Sequence, residues 1–372
     1  MKGKFGFRHM AERIFTPIRL IMLSFFAVIM IGAALLMLPW STTAPGSLSF
    51  VDALFTATSA TCVTGLVVNT VATEFTTFGH VVILFLVQIG GLGFMTISSG
   101  VYLLIRHKVS LRKRISMTEE LSHDGMDDLK RLTFDILKMT VATELIGALL
   151  LALAFSRYYS PGLAVWYGLF HSVMAFCNSG FDIVSSEGTS YRMFAEDPFI
   201  LIVTMLLIVL GGIGFMVVSD IAHNRRWRKL KLHTKIVIPL TAALILIGAI
   251  GIFAAEFDNP ETIGNMSVGN KIVNAFFQSV TARTAGFASF SQSGMTTFSQ
   301  TLTIVLMFIG VCPGSTGGGI KTTTMFVLLV TIYATLSHKR EVVIDMRSIG
   351  RETISKAATI FTLAVSGAAL RG

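Results

Sequence analysis

Long apolar runs separated by short polar stretches dominate the chain. Residues 16–40, 77–105, 132–155, 198–222, 233–255 and 299–335 are each apolar over at least about 20 residues, the length that crosses a bilayer as a helix. A seventh run begins near Thr353 and continues to Gly372. A shorter apolar piece, SFVDALFTATSA over 49–60, follows the first run. It is too short to span and reads as a re-entrant helix. Ser49 and Asp52 form a capping-box start. The TCVTG that follows is β-branched and ends in Gly, so the helix stops there.

This layout recurs. FTATSATCVTG ends at Gly65, FHSVMAFCNSG at Gly180 and FFQSVTARTAG at Gly286, and each has a Phe ten residues before its Gly. The spacing predicts short helices from Ser160-Pro161 to Phe176, with Pro in a first-turn position, and from Asn270 to about Val280. Each repeat then reads as outward helix, pore helix, extended segment and inward helix. After a short N-terminal stretch, 1–15, the repeats cover 16–105, 130–222 and 233–335, and 353–372 starts a fourth. The spacing puts a fourth such glycine at about residue 395, so we expect the chain to stop short of a complete fourth repeat. The expected fold class is an all-α polytopic membrane protein whose helix–pore-loop–helix repeats surround a central ion pore.

Composition agrees: 53% of the 372 residues are hydrophobic and only 14% are charged, well below the roughly 25% of soluble domains. The first run has a basic flank but no small-residue cleavage site, so it reads as a retained helix. The net charge of +9 is concentrated. Five Lys and Arg lie in 1–19, eight in 106–138, six in 225–235 and five in 339–356. They alternate with loops carrying Glu74, Asp182, Glu187, Glu196, Asp197, Glu256, Asp258 and Glu261. The positive-inside rule places the N-terminus and the basic loops in the cytoplasm. The cations sit at helix ends and form no groove-sized patch, which argues against nucleic-acid binding. Cys62, Cys177 and Cys312 lack metal-ligand spacing and imply no disulfide framework. Cys62 and Cys177 each stand three places before a repeat glycine, as corresponding positions.

Extended backbone at membrane depth survives only where protein encloses it or where it lines a wet path. Its carbonyl oxygens can replace the hydration shell of a cation. Gly permits the positive φ that turns consecutive carbonyls to one side. Each pore helix aims the negative end of its dipole at the cavity, which favours cations. CVTG and CNSG hold no carboxylate, which disfavours divalent selectivity by acidic rings.

GGLGFM at 90–95 and GGIGFM at 211–216 read as small-residue packing that lets inward helices approach the pore helices. Both are taken as continuous helix. The third inward run reads GVCPGSTGGGIKTTT from Gly310 to Thr324, and its Pro313 and glycines cannot remain a straight helix. A broken helix below a pore segment is a candidate gate. STGGGIK lacks the order of a phosphate-binding loop. Lys321 lies inside an apolar run and either contacts carbonyls of the broken loop, repels cations in a closed state, or reaches for the cytoplasmic interface. Arg283 is expected to point behind its pore segment, against an acid or carbonyls, as a brace. Glu144, inside the run 132–155, is the nearest thing to an intramembrane carboxylate and a candidate partner for such a cation. An intramembrane enzyme is disfavoured: His171 and Ser172 are adjacent on a helix and diverge, and no HExxH occurs.

TATSATCVTGL, AFCNSGF, TARTAGF and GSTGGGIK resemble the Trk/Ktr/HKT superfamily of potassium transporters over nearly the whole chain. The single helix before the first pore segment is more similar to the Ktr ion-conducting membrane subunit than to longer Trk subunits. The resemblance implies four repeats around one pore, a homodimer, and K+ as the transported ion, with Na+ as an activator and no organic cofactor in this subunit. It also implies a cytoplasmic nucleotide-binding RCK regulatory subunit of the KtrA type and residence in the cytoplasmic membrane of a bacterium. The ion ligands it implies are backbone carbonyls of Val63, Thr64 and Gly65, of Asn178, Ser179 and Gly180, and of Thr284, Ala285 and Gly286. The implied gate is Cys312, Pro313, Gly314, Ser315, Thr316, Gly317, Gly318 and Gly319, with Lys321. An Arg in the last inward helix of relatives has no counterpart here. A Na+-permeable or mixed Na+/K+ pathway is the alternative; in HKT relatives a Ser for the first pore-segment Gly accompanies Na+ selectivity, and Gly65 argues for K+. A non-conducting chain is the other alternative.

Overall fold

The computed structural model describes residues 17–44, 46–106, 126–185, 190–338, 343–344 and 347–369. The N-terminal stretch 1–15, the basic segment 107–125, Glu187 and the basic 339–342 lie outside them. Thirteen α-helices are present among the described residues, and a two-residue antiparallel pair, Val343–Ile344 with Arg347–Ser348, precedes the last. Two compact units divide at Ile146 and Gly147.

In the first unit α1 (Pro17–Leu36), α2 (Phe50–Thr61) and α4 (Thr77–Arg106) pack mutually, with the short α3 (Val71–Glu74) between α2 and α4. The Asp52 N–H donates to Ser49 Oγ at 3.2 Å, and Ser49 Oγ donates to Asp52 Oδ2 at 2.7 Å, the expected capping start. Ala53, Ala57 and Ala60 share one buried face of α2, at the i, i+4, i+7 spacing of a helix. The Thr43 N–H donates to the Glu74 carbonyl and the Thr76 N–H to the Ser41 carbonyl, tying the segment after α1 to the start of α4. The long α5 (Met126–Phe155) begins in this unit, where Gln88 Nε2 donates to Glu144 Oε2 at 3.1 Å. The intramembrane carboxylate thus meets an amide on α4.

The second unit holds α6 (Pro161–Phe176), α7 (Pro198–Gly212), α8 (Phe215–His223), α9 (Leu232–Glu256), α10 (Val268–Thr281), α11 (Thr297–Phe308), α12 (Thr322–Leu336) and α13 (Arg351–Ala369). α6 starts at Pro161 behind Ser160 and ends at Phe176, as its sequence predicts. α10 starts two residues before the expected Asn270, because Ser267 accepts the Asn270 N–H and serves as its N-cap. α7 packs on both α6 and α10, and α9 packs on α10 and α11. Its core includes a ring cluster in which Tyr191 meets Phe277, Phe287, Phe194 and His171.

Thr133–Phe155 and Leu232–Glu256 are long and apolar enough to cross a membrane, and the bent pair α7–α8 passes the same test together. Leu145, Leu149 and Leu153 form an exposed stripe on α5, and Leu246, Ile247 and Ile250 do so on α9. A soluble surface does not carry such stripes; they suit a lipid-facing wall. The third inward run is broken between Phe308 and Thr322, as expected.

One expectation is corrected. GGIGFM does not stay helical. α7 and α8 meet at a bend of 93°, where Gly214 takes φ 97°. GGLGFM does run straight through α4. The cause of the difference is tertiary. At the α7–α8 break the Gly211 and Gly212 carbonyls accept from Thr316 and Cys312 N–H groups, and the Phe215 N–H donates to the Gly314 carbonyl. A straight helix would need those groups for its own ladder.

Candidate functional site

Three pore-helix ends share one backbone pattern. Val63 and Gly65 have φ of 54° and 75°, Asn178 and Gly180 have 56° and 72°, and Thr284 and Gly286 have 69° and 88°. In each triplet two left-handed residues flank one ordinary residue. A regular strand points successive carbonyls to opposite sides; alternating hand points them to the same side. This alternation is the backbone pattern that can present a row of oxygens. Left-handed backbone is disfavoured for β-branched residues, and Val63 and Thr284 adopt it nonetheless, a strain of the kind concentrated at functional sites.

The first two triplets grow from the same helix ending. The Val63 N–H donates to the Ala60 carbonyl and the Thr64 N–H to Ser59. The Asn178 N–H donates to the Ala175 carbonyl and the Ser179 N–H to Met174. This is the double bond pattern of a Schellman motif, with Val63 and Asn178 in the left-handed position. Cys62 and Cys177 are the C-caps, so they are equivalent in space as in sequence. The third triplet differs: the Ala285 and Gly286 N–H groups share the Thr281 carbonyl, and Arg283 occupies the inserted turn.

The GG motifs act where expected. A Cβ at Gly90 would collide with the Thr61 carbonyl oxygen, and one at Gly211 with the Phe176 carbonyl oxygen. Thr61 and Phe176 are the last residues of α2 and α6, so the inward helices touch both pore helices at corresponding points. Within the second unit the second and third triplets abut: a Cβ on Gly180 would lie 3.0 Å from the Gly286 Cα.

The loop from Ile309 to Lys321 packs against both triplets of that unit. Thr316 Oγ1 donates to the Phe176 carbonyl at 2.9 Å. The Gly318 N–H donates to Thr284 Oγ1 at 3.2 Å. Arg283 Nη2 donates to the Gly310 carbonyl at 3.3 Å, so this buried cation points at the loop carbonyl. Lys321 Nζ donates to the Gly317 carbonyl at 2.7 Å, which favours loop contact over escape to the interface. Ser315 Oγ donates to the Cys312 carbonyl at 2.5 Å, and Thr322 Oγ1 meets Cys312 Sγ at 3.3 Å. Pro313 and Gly319 complete the loop, with Gly314 and Gly319 at φ 66° and 73°.

Sequence reasoning missed two contributors. The α7–α8 break, hydrogen-bonded to the loop, shows no signal beyond a second glycine after GG. Thr284 as a loop acceptor is visible only once the chain is folded.

A family model described as TrkH, a cation transport protein, matches residues 10–365. The Ktr system potassium uptake protein B of Bacillus subtilis (strain 168) is 40% identical over 93% of this chain and 77% of its own length. The potassium/sodium uptake protein NtpJ of Enterococcus hirae is 37% identical over 94% of this chain and 77% of its own. The structure of the potassium transporter TrkH from Vibrio parahaemolyticus superposes with a TM-score of 0.65, covering 91% of this chain and 68% of that one at 20% identity, and shares its fold. The family carries cations and is not an enzyme family. With its left-handed triplets, broken inward helix and exposed apolar stripes, this multi-pass helical chain belongs to the TrkH family of cation transport proteins.

Proposed function

We propose that the chain takes up K+ across the cytoplasmic membrane of a bacterium, as the ion-conducting subunit of a Ktr-type system. The observation that carries this reading is the left-handed pair in each triplet. The carbonyls of Val63, Thr64 and Gly65, of Asn178, Ser179 and Gly180, and of Thr284, Ala285 and Gly286 replace the water around a dehydrated monovalent cation. No carboxylate stands in the triplets to prefer a divalent ion. The three helix–pore-loop–helix repeats contribute one triplet each. The loop Cys312–Gly319, with Lys321 on the Gly317 carbonyl, gates the path from below. The N-terminus is cytoplasmic, the protein is a homodimer, and a nucleotide-binding RCK subunit sets the gate, with Na+ as activator.

One observation favours a second reading. NtpJ, a potassium/sodium uptake protein, is nearly as similar as the Bacillus subtilis Ktr protein B, so a mixed Na+/K+ pathway is the alternative. Gly65 supports K+.

The test is K+ uptake in a bacterium lacking its own K+ transport, expressing the protein. Restored growth at low K+ is expected; failure of properly inserted protein would sink the proposal. Gly65→Ser should weaken the preference for K+ over Na+, and an unaltered ratio would remove this triplet from selectivity. Deleting Pro313 to Gly318 should raise flux, whereas unchanged or lower flux in folded protein argues against a gate.

A further inference from the structure

His171 lies on α6 with its side chain wholly buried, and no step of transport uses it so far. Its Nδ1 is 2.8 Å from the Tyr167 carbonyl one turn back. A carbonyl only accepts, so Nδ1 carries a hydrogen. Its Nε2 is 2.9 Å from Asp182 Oδ1. The two atoms stand within hydrogen-bond distance and join the ring to the carboxyl group. The Ile183 N–H also approaches Nε2, at 3.4 Å. Asp182 in turn accepts from the Val184 N–H at 2.9 Å and the Ser185 N–H at 3.3 Å, which folds the chain after the triplet around its carboxyl group. Phe155, Tyr167, Phe170, Tyr191 and Phe287 ring the imidazole and fix its plane.

Asp182 is two residues beyond Gly180, and His171 is nine before it. The second triplet is thus held at both ends. Below, its first residues are bonded to the end of α6 through the Ala175 and Met174 carbonyls. Above, its exit is bonded to the middle of the same helix. By the offsets from the repeat glycines, the first triplet has Thr56 and Val67 at these places and the third has Phe277 and Ala288. Neither pair can form such a bond. The third triplet's exit is tied by neutral bonds, from Thr281 Oγ1 to the Phe287 carbonyl at 2.8 Å and from the Ala288 N–H to Ser190 Oγ at 3.2 Å.

We propose that the His171–Asp182 pair is a positioning brace that holds the carbonyls of Asn178, Ser179 and Gly180 at the spacing of a K+ ion, and so determines selectivity from behind the pore. This deepens the K+-uptake reading and rests on it. Discrimination between K+ and Na+ needs oxygens that do not close in on the smaller ion. A hydrogen bond from a buried, ring-lined imidazole to a carboxyl group that is largely shielded is stiffer than one exposed to water.

The test measures radioactive rubidium uptake, competed by K+ and by Na+, in cells expressing wild type, Asp182→Ala, Asp182→Asn and His171→Ala. Asp182→Ala should lower the preference for K+ over Na+ by about tenfold, the effect of a change near 1.4 kcal/mol in relative ion binding. Asp182→Asn, whose amide can still donate to a neutral Nε2 but then cannot accept from the Val184 N–H, should fall between wild type and Asp182→Ala. His171→Ala should match Asp182→Ala; because it empties a core position, melting in detergent is followed alongside, and Asp182→Ala decides if it fails to fold. A folded Asp182→Ala with wild-type selectivity overturns the brace. Equal losses in Asp182→Asn and Asp182→Ala assign the effect to carboxylate charge at the mouth, which also overturns it. An unfolded Asp182→Ala makes the pair a folding determinant and does the same. Wild type without any preference for K+ is a separate result, and it refutes the transport reading itself.

Discussion

Gly211 and Gly162 are both helical glycines with opposite surroundings. Gly211 faces the Phe176 carbonyl oxygen across two helices, and Gly162 has open space where a Cβ would stand. Gly211→Ala should therefore destabilise the protein, by about 1–3 kcal/mol of overpacking or more, since backbone cannot yield as a side chain does. Gly162→Ala should leave stability unchanged or raise it by about 0.5–1 kcal/mol, through the lower entropy of the unfolded chain. Melting in detergent distinguishes them, and equal melting temperatures would refute the contact. At this scale the sequence was most informative where chemistry is local. The Ser49–Asp52 start, the Pro161 start and the glycines that end each triplet follow from backbone preferences of single residues. Val63, Asn178 and Thr284 were not legible as left-handed residues, because that conformation is imposed by helix ends and by packing against individual preference. Nor was the partner of Arg283, since a cation among carbonyls and one against an acid look alike in sequence.

Among elements, GGLGFM and GGIGFM show what a local motif leaves open. Nearly identical hexapeptides give a straight α4 and a 93° bend between α7 and α8. The deciding groups are the N–H and carbonyl groups of the loop at 312–316, a hundred residues on. Gly214→Ala should strain this bend, since left-handed backbone costs an L-residue about 1–2 kcal/mol and the new Cβ would stand 2.8 Å from the Pro313 carbonyl oxygen. Lowered thermal stability and an altered transport rate are expected together; wild-type values for both would show that the bend does not bear on the loop. α8 is held at its far end as well. Asp220 accepts from the Lys231 N–H at 2.9 Å, Thr234 Oγ1 at 2.6 Å and Asn224 Nδ2 at 2.9 Å, and so fastens α8 to the start of α9. Asp220→Ala should expose the connection between Asn224 and Leu230 to limited proteolysis in membranes. A digestion rate equal to that of wild type would count against the fastening.

For the molecule as a whole, the expected membrane solvent explains its outer surface. Leu145, Leu149 and Leu153 on α5 and Leu246, Ile247 and Ile250 on α9 are exposed without loss only in hydrocarbon. Leu149→Lys should reduce membrane insertion, a central charged residue costing about 2.5–3.5 kcal/mol on insertion scales, whereas Leu149→Phe should be neutral. Membrane flotation of the two variants checks this, and equal partitioning would show that the stripe does not face lipid. The polytopic fold class was readable at this scale because hydrocarbon imposes one simple rule on long segments. The bend in the second inward run was not, since it depends on contacts between segments far apart in sequence.

The bonding of the loop to the α7–α8 break has a thermodynamic consequence. The Gly211 and Gly212 carbonyls and the Phe215 N–H find their partners in the loop. If the loop gates the path as proposed, its swing deprives these three main-chain groups of their partners at membrane depth, at about 1–3 kcal/mol each if nothing replaces them. Water arriving in the vacated space is the replacement at hand. Opening is then a wetting transition as well as a movement of chain, and its equilibrium should shift with osmotic stress: solutes too large to enter should favour the closed state in proportion to the waters they withdraw.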